Sequence, residues 1–188
     1  MREFRPHVLG IDDGPFDKHA DATVPIVGVM TEGATVVEAV AVTAFPVDGD
    51  CAAEFLAEWV GGLRCAAALH AIVLGGLTIA GLAVIDIERL ARVRRTPVIT
   101  VHRHDPSNDR LGAALRAAGL ADRIAIVERA PRAWPLGPGL FAAHAGTTRE
   151  QAAAIVAASC NKSQLPEPLR LAHLIGSALV SGQSRGRP

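Results

Sequence analysis

The residues best suited to chemistry in this chain are carboxylates beside glycine: Asp12 and Asp13 in VLGIDDG, then Asp48 and Asp50 in VDGD. Side-chain oxygens of this kind suit a hard divalent cation such as Mg²⁺ or Mn²⁺. Acids brought together from separate strands could form such a metal site. Turn and helix-cap duties are the competing reading, since Asp, Gly and Pro are common turn formers and Asp50 is placed to cap a following helix. Further polar groups follow the apolar stretch PVITV: His102, Arg103, His104 and Asp105. His102 and His104, two apart, share a face if the strand extends through them. With Asp105 they are candidate ligands or acid–base groups, or simply loop polarity. His144 stands beside a late glycine turn. Arg170, His173 and Ser177 recur at spacings of three and four, one polar stripe on a helix. Arg170 could reach a phosphate or pair with an acidic side chain.

The elements that must position these groups are read from periodicity and turn residues. Residues 94–103, RRTPVITVHR, hold a β-branched strand suited to burial on both faces. A strand that ends in polar residues and leads into a helix is where open α/β sheets keep their ligand crevice. Residues 7–11 form a short strand running into Asp12 and Asp13, which would point to opposite faces if the strand continues. Residues 23–30 and 35–45 read as a hairpin turning at Gly33, and with the first strand they make a three-stranded antiparallel ribbon. A helix to about residue 60 follows, capped by Asp50. Next come a strand at 69–74, a helix over 80–95 with a basic carboxyl end, a helix from about 106 to Gly119, and a strand at 123–127. The segment 130–139, APRAWPLGPG, excludes a regular helix and a central strand, and its Trp134 is expected to clamp the core. A strand at 140–144, a helix capped by Thr147 or Thr148, and a helix after Pro166 and Pro168 complete the chain, with a frayed tail over 182–188.

Composition narrows the function classes. The chain has 188 residues, 49% of them hydrophobic, enough for one domain with an aliphatic, alanine-rich core. Aromatics are 4% with no Tyr, a poor basis for a base-stacking platform. Nineteen basic residues balance nineteen acidic ones, so no global basic field attracts nucleic acid. Three cysteines without metal-ligand spacing fit small hydrophobes in a reducing, cytoplasmic compartment. No signal-peptide pattern opens the chain. The apolar run at 66–85 is broken by Gly75, Gly76, Thr78 and Gly81, which argues against a membrane span. GGLTIAG is neither a Walker loop nor a dinucleotide fingerprint.

The alternation of elements describes an α/β, ribonuclease H-like mixed sheet, with an antiparallel three-stranded ribbon joined to parallel strands and flanked by helices. VLGIDDGPF, VDGD, GGLTIAGLAVIDIERL, TPVITVHRHDP and LPEPLRLAHLIGSAL, spread from end to end of one domain, resemble the archaeal-type DUF99 (UPF0215) family, a relative of endonuclease V. The resemblance implies a ribonuclease H-like fold. Through endonuclease V, a Mg²⁺-dependent nuclease that cuts beside deaminated purines, it implies DNA or RNA as partner. It places Asp12 at the first-strand metal carboxylate and Asp48, with Asp50 as neighbour, at the second. Arg103 falls where endonuclease V has a lysine, and His144 is the nearest counterpart of its late histidine. The third carboxylate, an Asp-Gly pair, is replaced here by Gly75–Gly76. Expected roles are therefore Asp12, Asp48 and His144 in catalysis, Asp12, Asp48 and Asp50 on metal, and His102, Arg103 and Arg170 on substrate. The alternative is a noncatalytic nucleic-acid-binding or protein-binding domain.

Overall fold

A computed structural model describes residues 4–104, 106 and 108–184, Asn108 by its backbone alone. The ribbon is β1 (His7–Asp13), β2 (Thr23–Glu32) and β3 (Val36–Pro46), both pairings antiparallel, with Gly33 in the left-handed conformation at the turn. Helix α1 (Ala52–Gly62) leads to β4 (Ala71–Leu74), which lies parallel to β1. A small hairpin, β5 (Thr78–Ile79) and β6 (Ala83–Val84), precedes α2 (Ile87–Arg94). Strand β7 (Val98–His102) is parallel to β4 and is followed by α3 (Asn108–Ala117) and α4 (Ile124–Arg129). An edge hairpin, β8 (Trp134–Gly137) and β9 (Leu140–Ala145), pairs antiparallel to β7. Helices α5 (Arg149–Ser159) and α6 (Glu167–Ser181) close the fold. The main sheet has seven strands in the order β3-β2-β1-β4-β7-β9-β8, the expected mixed α/β arrangement.

Alternation along the strands divides the core between two faces. Leu9, Ile11, Ile72, Leu74 and Val98 pack with α1 and α2, while Val8, Val73, Ile99 and Val101 pack with α5 and the start of α6. Thr148 caps α5 in a reciprocal box with Gln151, as Ser/Thr three residues before Glu/Gln specifies. Among the described residues no helix is long and apolar enough to cross a membrane. The cysteines are unpaired.

Three expectations are corrected. The helix expected over 80–95 begins only at Ile87, where the Asp86 side chain accepts from Arg89 N at 3.0 Å. Before it, Ala80 (φ 50°) and Gly81 (φ 94°) turn the β5–β6 hairpin, because an apolar run without a polar face does not distinguish strand from helix. The strand expected at 123–127 is helical: the place beside β7 is taken by β9, and Val127 packs with Val84 and Leu115 instead. Asp50 does not cap α1. Cys51, in the left-handed conformation, occupies that position with no side-chain cap, and Asp50 pairs with Arg123. Pro135 is accommodated because β8 is an edge strand, where a missing N–H is tolerated. Asp105, Ser107 and the tail at 185–188 lie outside the described residues.

Candidate functional site at the end of β1

Helix α6 is laid on β1 by two glycine contacts. A Cβ at Gly10 would stand 2.2 Å from Leu169 N, and a Cβ at Gly176 would stand 3.1 Å from Gly14 Cα. Helix and strand therefore touch backbone to backbone at both points, a closeness that only residues without side chains permit. Midway between these contacts lie Asp12 on the strand and His173 on the helix. Their side chains meet, with His173 Nδ1 2.9 Å from Asp12 Oδ2. Asp12 thereby favours the imidazolium, and this hydrogen bond raises the His173 pKa above its ordinary value against the opposing effect of burial.

Asp12 and Asp13 point to opposite faces, as strand alternation requires. Asp13 Oδ2 accepts from Ala80 N at 2.6 Å. Burial, then the neighbouring Asp12 charge, push the Asp13 pKa up. Two cavities meet at this strand end. One of about 460 Å³ is lined by Asp12, Gly75, Val101, Arg103, Arg170 and His173 among others. The second, of about 320 Å³, is lined by Asp12, Asp13, Phe16, Gly75, Thr78 and Gly81 with apolar neighbours. Asp12 and Gly75 belong to both, so together they form one crevice at the carboxyl ends of β1, β4 and β7.

Gly75 leaves open the place beside Asp12. A Cβ built on it would lie 3.6 Å from Asp12 Oδ1, an ordinary contact, and would meet nothing else within 4 Å. Asp12 offers hard oxygen donors to the crevice, whereas Asp13 Oδ2 is taken up by Ala80 N. Among the described residues no group of three or more His, Cys, Asp or Glu side chains is arranged to hold a metal ion. That donor set fits a Mg²⁺-like cation completed by waters and a substrate phosphate, and does not fit a site closed by protein ligands alone.

The remaining candidates divide sharply. Arg103 and Arg170 line the crevice with Asp12. Arg170 Nε and Nη2 both donate to Oε2 of the buried Glu167, at 2.9 and 2.6 Å, so the acid pairing and a place in the crevice coexist. His102 Nε2 lies 3.1 Å from Thr100 Oγ1, and burial lowers its pKa. A Cβ at Gly76 would lie 3.7 Å from its ring. Asp48 stands behind Gly81 on the crevice wall, where its Oδ1 accepts from Leu82 N at 2.6 Å. Asp50 pairs with the buried Arg123, which also donates to Leu82 O at 2.9 Å and Asp48 O at 2.7 Å. His144 is not brought to Asp12. It pairs with Ile99, toward the opposite end of β7, and its Nδ1 accepts from Trp134 Nε1 at 3.0 Å. Trp134 also packs against the core, the clamp role expected of it. The group sequence reasoning passed over is His173, visible there only as one member of a polar stripe. The signal that could have found it is the pair of glycines at 10 and 14, which mark a close crossing over Asp12.

Comparison with known proteins places this geometry in context. The chain is 39% identical over 183 residues to a UPF0215 protein of Methanothermobacter thermautotrophicus, covering 95% of this chain and 90% of the relative. It superposes on a protein of unknown function from Archaeoglobus fulgidus with a TM-score of 0.87 and 33% identity, covering 95% of this chain and 100% of that one. Endonuclease V of Ciona intestinalis, solved in complex with a 24mer DNA containing an inosine followed by a ribo-adenosine, shares the fold. There the TM-score is 0.56 and the identity 16%, over 89% of this chain and 82% of that one. The family match runs over residues 5–180, nearly the whole path from β1 to the end of α6, and by it the chain belongs to the Endonuclease dU family.

Proposed function

We propose that the chain is a metal-assisted endonuclease that hydrolyses a phosphodiester bond in DNA near a deaminated base, deoxyuridine by the name of its family. The observation that carries this reading is the Asp12–His173 pair, at 2.9 Å, set in a crevice with two guanidinium groups. Arg103 and Arg170 bind the phosphate, a role suited to the planar guanidinium fork. Glu167 holds Arg170 in place. Asp12 would supply carboxylate oxygen to a Mg²⁺ or Mn²⁺ ion, with Asp13 turned to the other face and held by Ala80 N, and Asp48 behind the crevice wall. When bound, such an ion supplies an activated water and charge stabilisation at the phosphorus. His173 fixes the orientation of the Asp12 carboxylate through its Nδ1. The alignment with DNA-bound endonuclease V supports nucleic acid as the ligand class.

The test is cleavage of single- and double-stranded oligonucleotides carrying deoxyuridine, inosine or no lesion, and of their RNA counterparts, with Mg²⁺ or Mn²⁺. Metal-dependent cutting confined to lesion-bearing strands is the expected outcome, and absence of cutting on every substrate would refute it. A binding-only reading is favoured by one observation, the glycine at position 75 beside Asp12. It requires that all substrates remain uncut while lesion-bearing DNA binds equally well to wild type and Asp12→Asn.

A further inference from the structure

At the opposite end of the sheet from Asp12 lies a second polar cavity. Because β9 runs antiparallel to β7, Ala145 pairs with Val98 at the start of that strand, whereas Phe141 pairs with His102 at its end. A cavity of about 570 Å³ opens there, lined by Glu88, Arg92, Arg95, Thr96, His144 and Thr147 among others. We propose that this cavity binds a phosphate group, supplied by a nucleic-acid strand or by a free nucleotide, independently of the Asp12 crevice.

Three features point to an anion. First, the guanidinium groups of Arg92 and Arg95 have no hydrogen-bond or ion-pair partner among the described residues. Some arginines of this chain are paired, Arg89 with Glu54 at 2.6 Å, Arg129 with Asp86 at 2.8 Å and Arg170 with Glu167, whereas Arg92 and Arg95 share one cavity with their charges open to solvent. Glu88 lines the same cavity one helical turn before Arg92, yet the two form no ion pair. Second, Arg95 caps α2 at φ 49°, a left-handed conformation in which glycine is the favoured residue. A long cationic side chain held where glycine fits better is a local cost that a ligand contact would offset. The helix dipole accounts for cations at this end but not for that conformation.

Third, the His144 ring is oriented. Its Nδ1 accepts from Trp134 Nε1, so the ring hydrogen sits on Nε2, the tautomer that can donate to an anion. Arg149, in the first turn of α5, stacks over Trp134 with its guanidinium carbon 4.5 Å from the ring centre. The two cavity arginines can present planar forks to phosphate oxygens, and Trp134, through His144, reports on the cavity.

The experiment follows Trp134 fluorescence in a Trp59→Phe background, which leaves one tryptophan of two. Full-length protein is titrated with inorganic phosphate, with dTMP and with a short single-stranded oligothymidine. The proposal expects a saturable change with phosphate and at least about tenfold weaker binding in Arg92→Ser/Arg95→Ser. Arg95→Gly provides a second variant: it relieves the left-handed backbone, so thermal stability is kept or raised while phosphate binding weakens. Asp12→Asn leaves the titration unchanged. Tighter binding of the oligomer than of dTMP identifies a strand as the source, and equal or weaker binding identifies a free nucleotide. No saturable phosphate response, a response that survives loss of both arginines, or one abolished by Asp12→Asn would each overturn it.

Discussion

Asp12–Asp13 and Asp48–Asp50 are both pairs of aspartates next to a glycine, and the fold uses them differently. Asp12 stands at a strand end on a crevice, where among the described residues its side chain meets the partly exposed His173, while Asp13 accepts from Ala80 N. Asp48 and Asp50 are tied to the protein itself: Asp48 to Leu82 N, and Asp50 to Arg123, whose fork also holds the carbonyls of residues 48 and 82. The VDGD loop thereby fastens the β5–β6 hairpin, which forms one wall of the crevice. The contrast shows what makes a carboxylate available for chemistry. It is the position of the oxygens relative to backbone donors and open volume, and composition alone does not supply it.

The structural role of the VDGD loop depends most on Arg123. Arg123→Ala leaves two carbonyls without their donor in a buried setting, and should lower unfolding free energy by roughly 2–4 kcal/mol. Denaturant melts give the value, and a loss below about 0.5 kcal/mol would remove the structural role of the VDGD loop. Gly10→Ala comes next. It drives a methyl group into the α6 backbone at Leu169, for an expected loss of about 1–3 kcal/mol. It should also part His173 from Asp12, which the His173 imidazole shifts in NMR spectra would register as a return toward the ordinary pKa.

Gly75→Asp places a second carboxylate next to Asp12, where a Cβ meets only Asp12 Oδ1 within 4 Å. Calorimetric affinity for Mn²⁺ should rise by about tenfold or more, since ligand charge sets the affinity of such sites. An unchanged affinity would mean that no cation sits between positions 12 and 75.

The smallest effect concerns pH. The folded-state pKa of His173 is raised above 6.5, so the folded protein holds this proton more tightly than the unfolded chain does. The resulting stabilisation is complete below about pH 6.5 and is lost as pH rises through the raised value. It is small, because the His173 side chain is 63% exposed and water screens the pair. His173→Gln should flatten this part of the stability profile, and an identical slope in wild type and variant would assign it to another group.

Much of the fold was legible because local signals agreed with tertiary ones. The β-branched residues of 23–45 and the positive φ open to Gly33 marked the ribbon, and Thr147 or Thr148 with Glu150 in the first turn marked the start of α5, where the structure selects Thr148. The opposite faces of Asp12 and Asp13 followed from strand periodicity. The helix expected over 80–95 starts only at Ile87, because the apolar residues 82–85 carry no amphipathic period. The turn at Ala80–Gly81 is held by Asp13 and Asp48, remote in sequence. Residues 123–127 have strand-like side chains, but the place beside β7 is taken by β9. His173 was missed for a related reason: a helix-face histidine gains meaning only once the Gly10–Leu169 contact has set α6 over β1.

In the proposed function the reacting centre lies at Asp12, and Asp48 holds the β5–β6 hairpin. Single-turnover cleavage of a deoxyuridine-containing oligonucleotide in Mn²⁺, measured for wild type, Asp12→Asn and Asp48→Asn under conditions where all three are folded, addresses it directly. The account predicts cutting by wild type, a loss of about a thousandfold or more in Asp12→Asn, and a change within about tenfold in Asp48→Asn, which instead melts at lower denaturant. Equal collapse of both variants, or survival of Asp12→Asn, would contradict it.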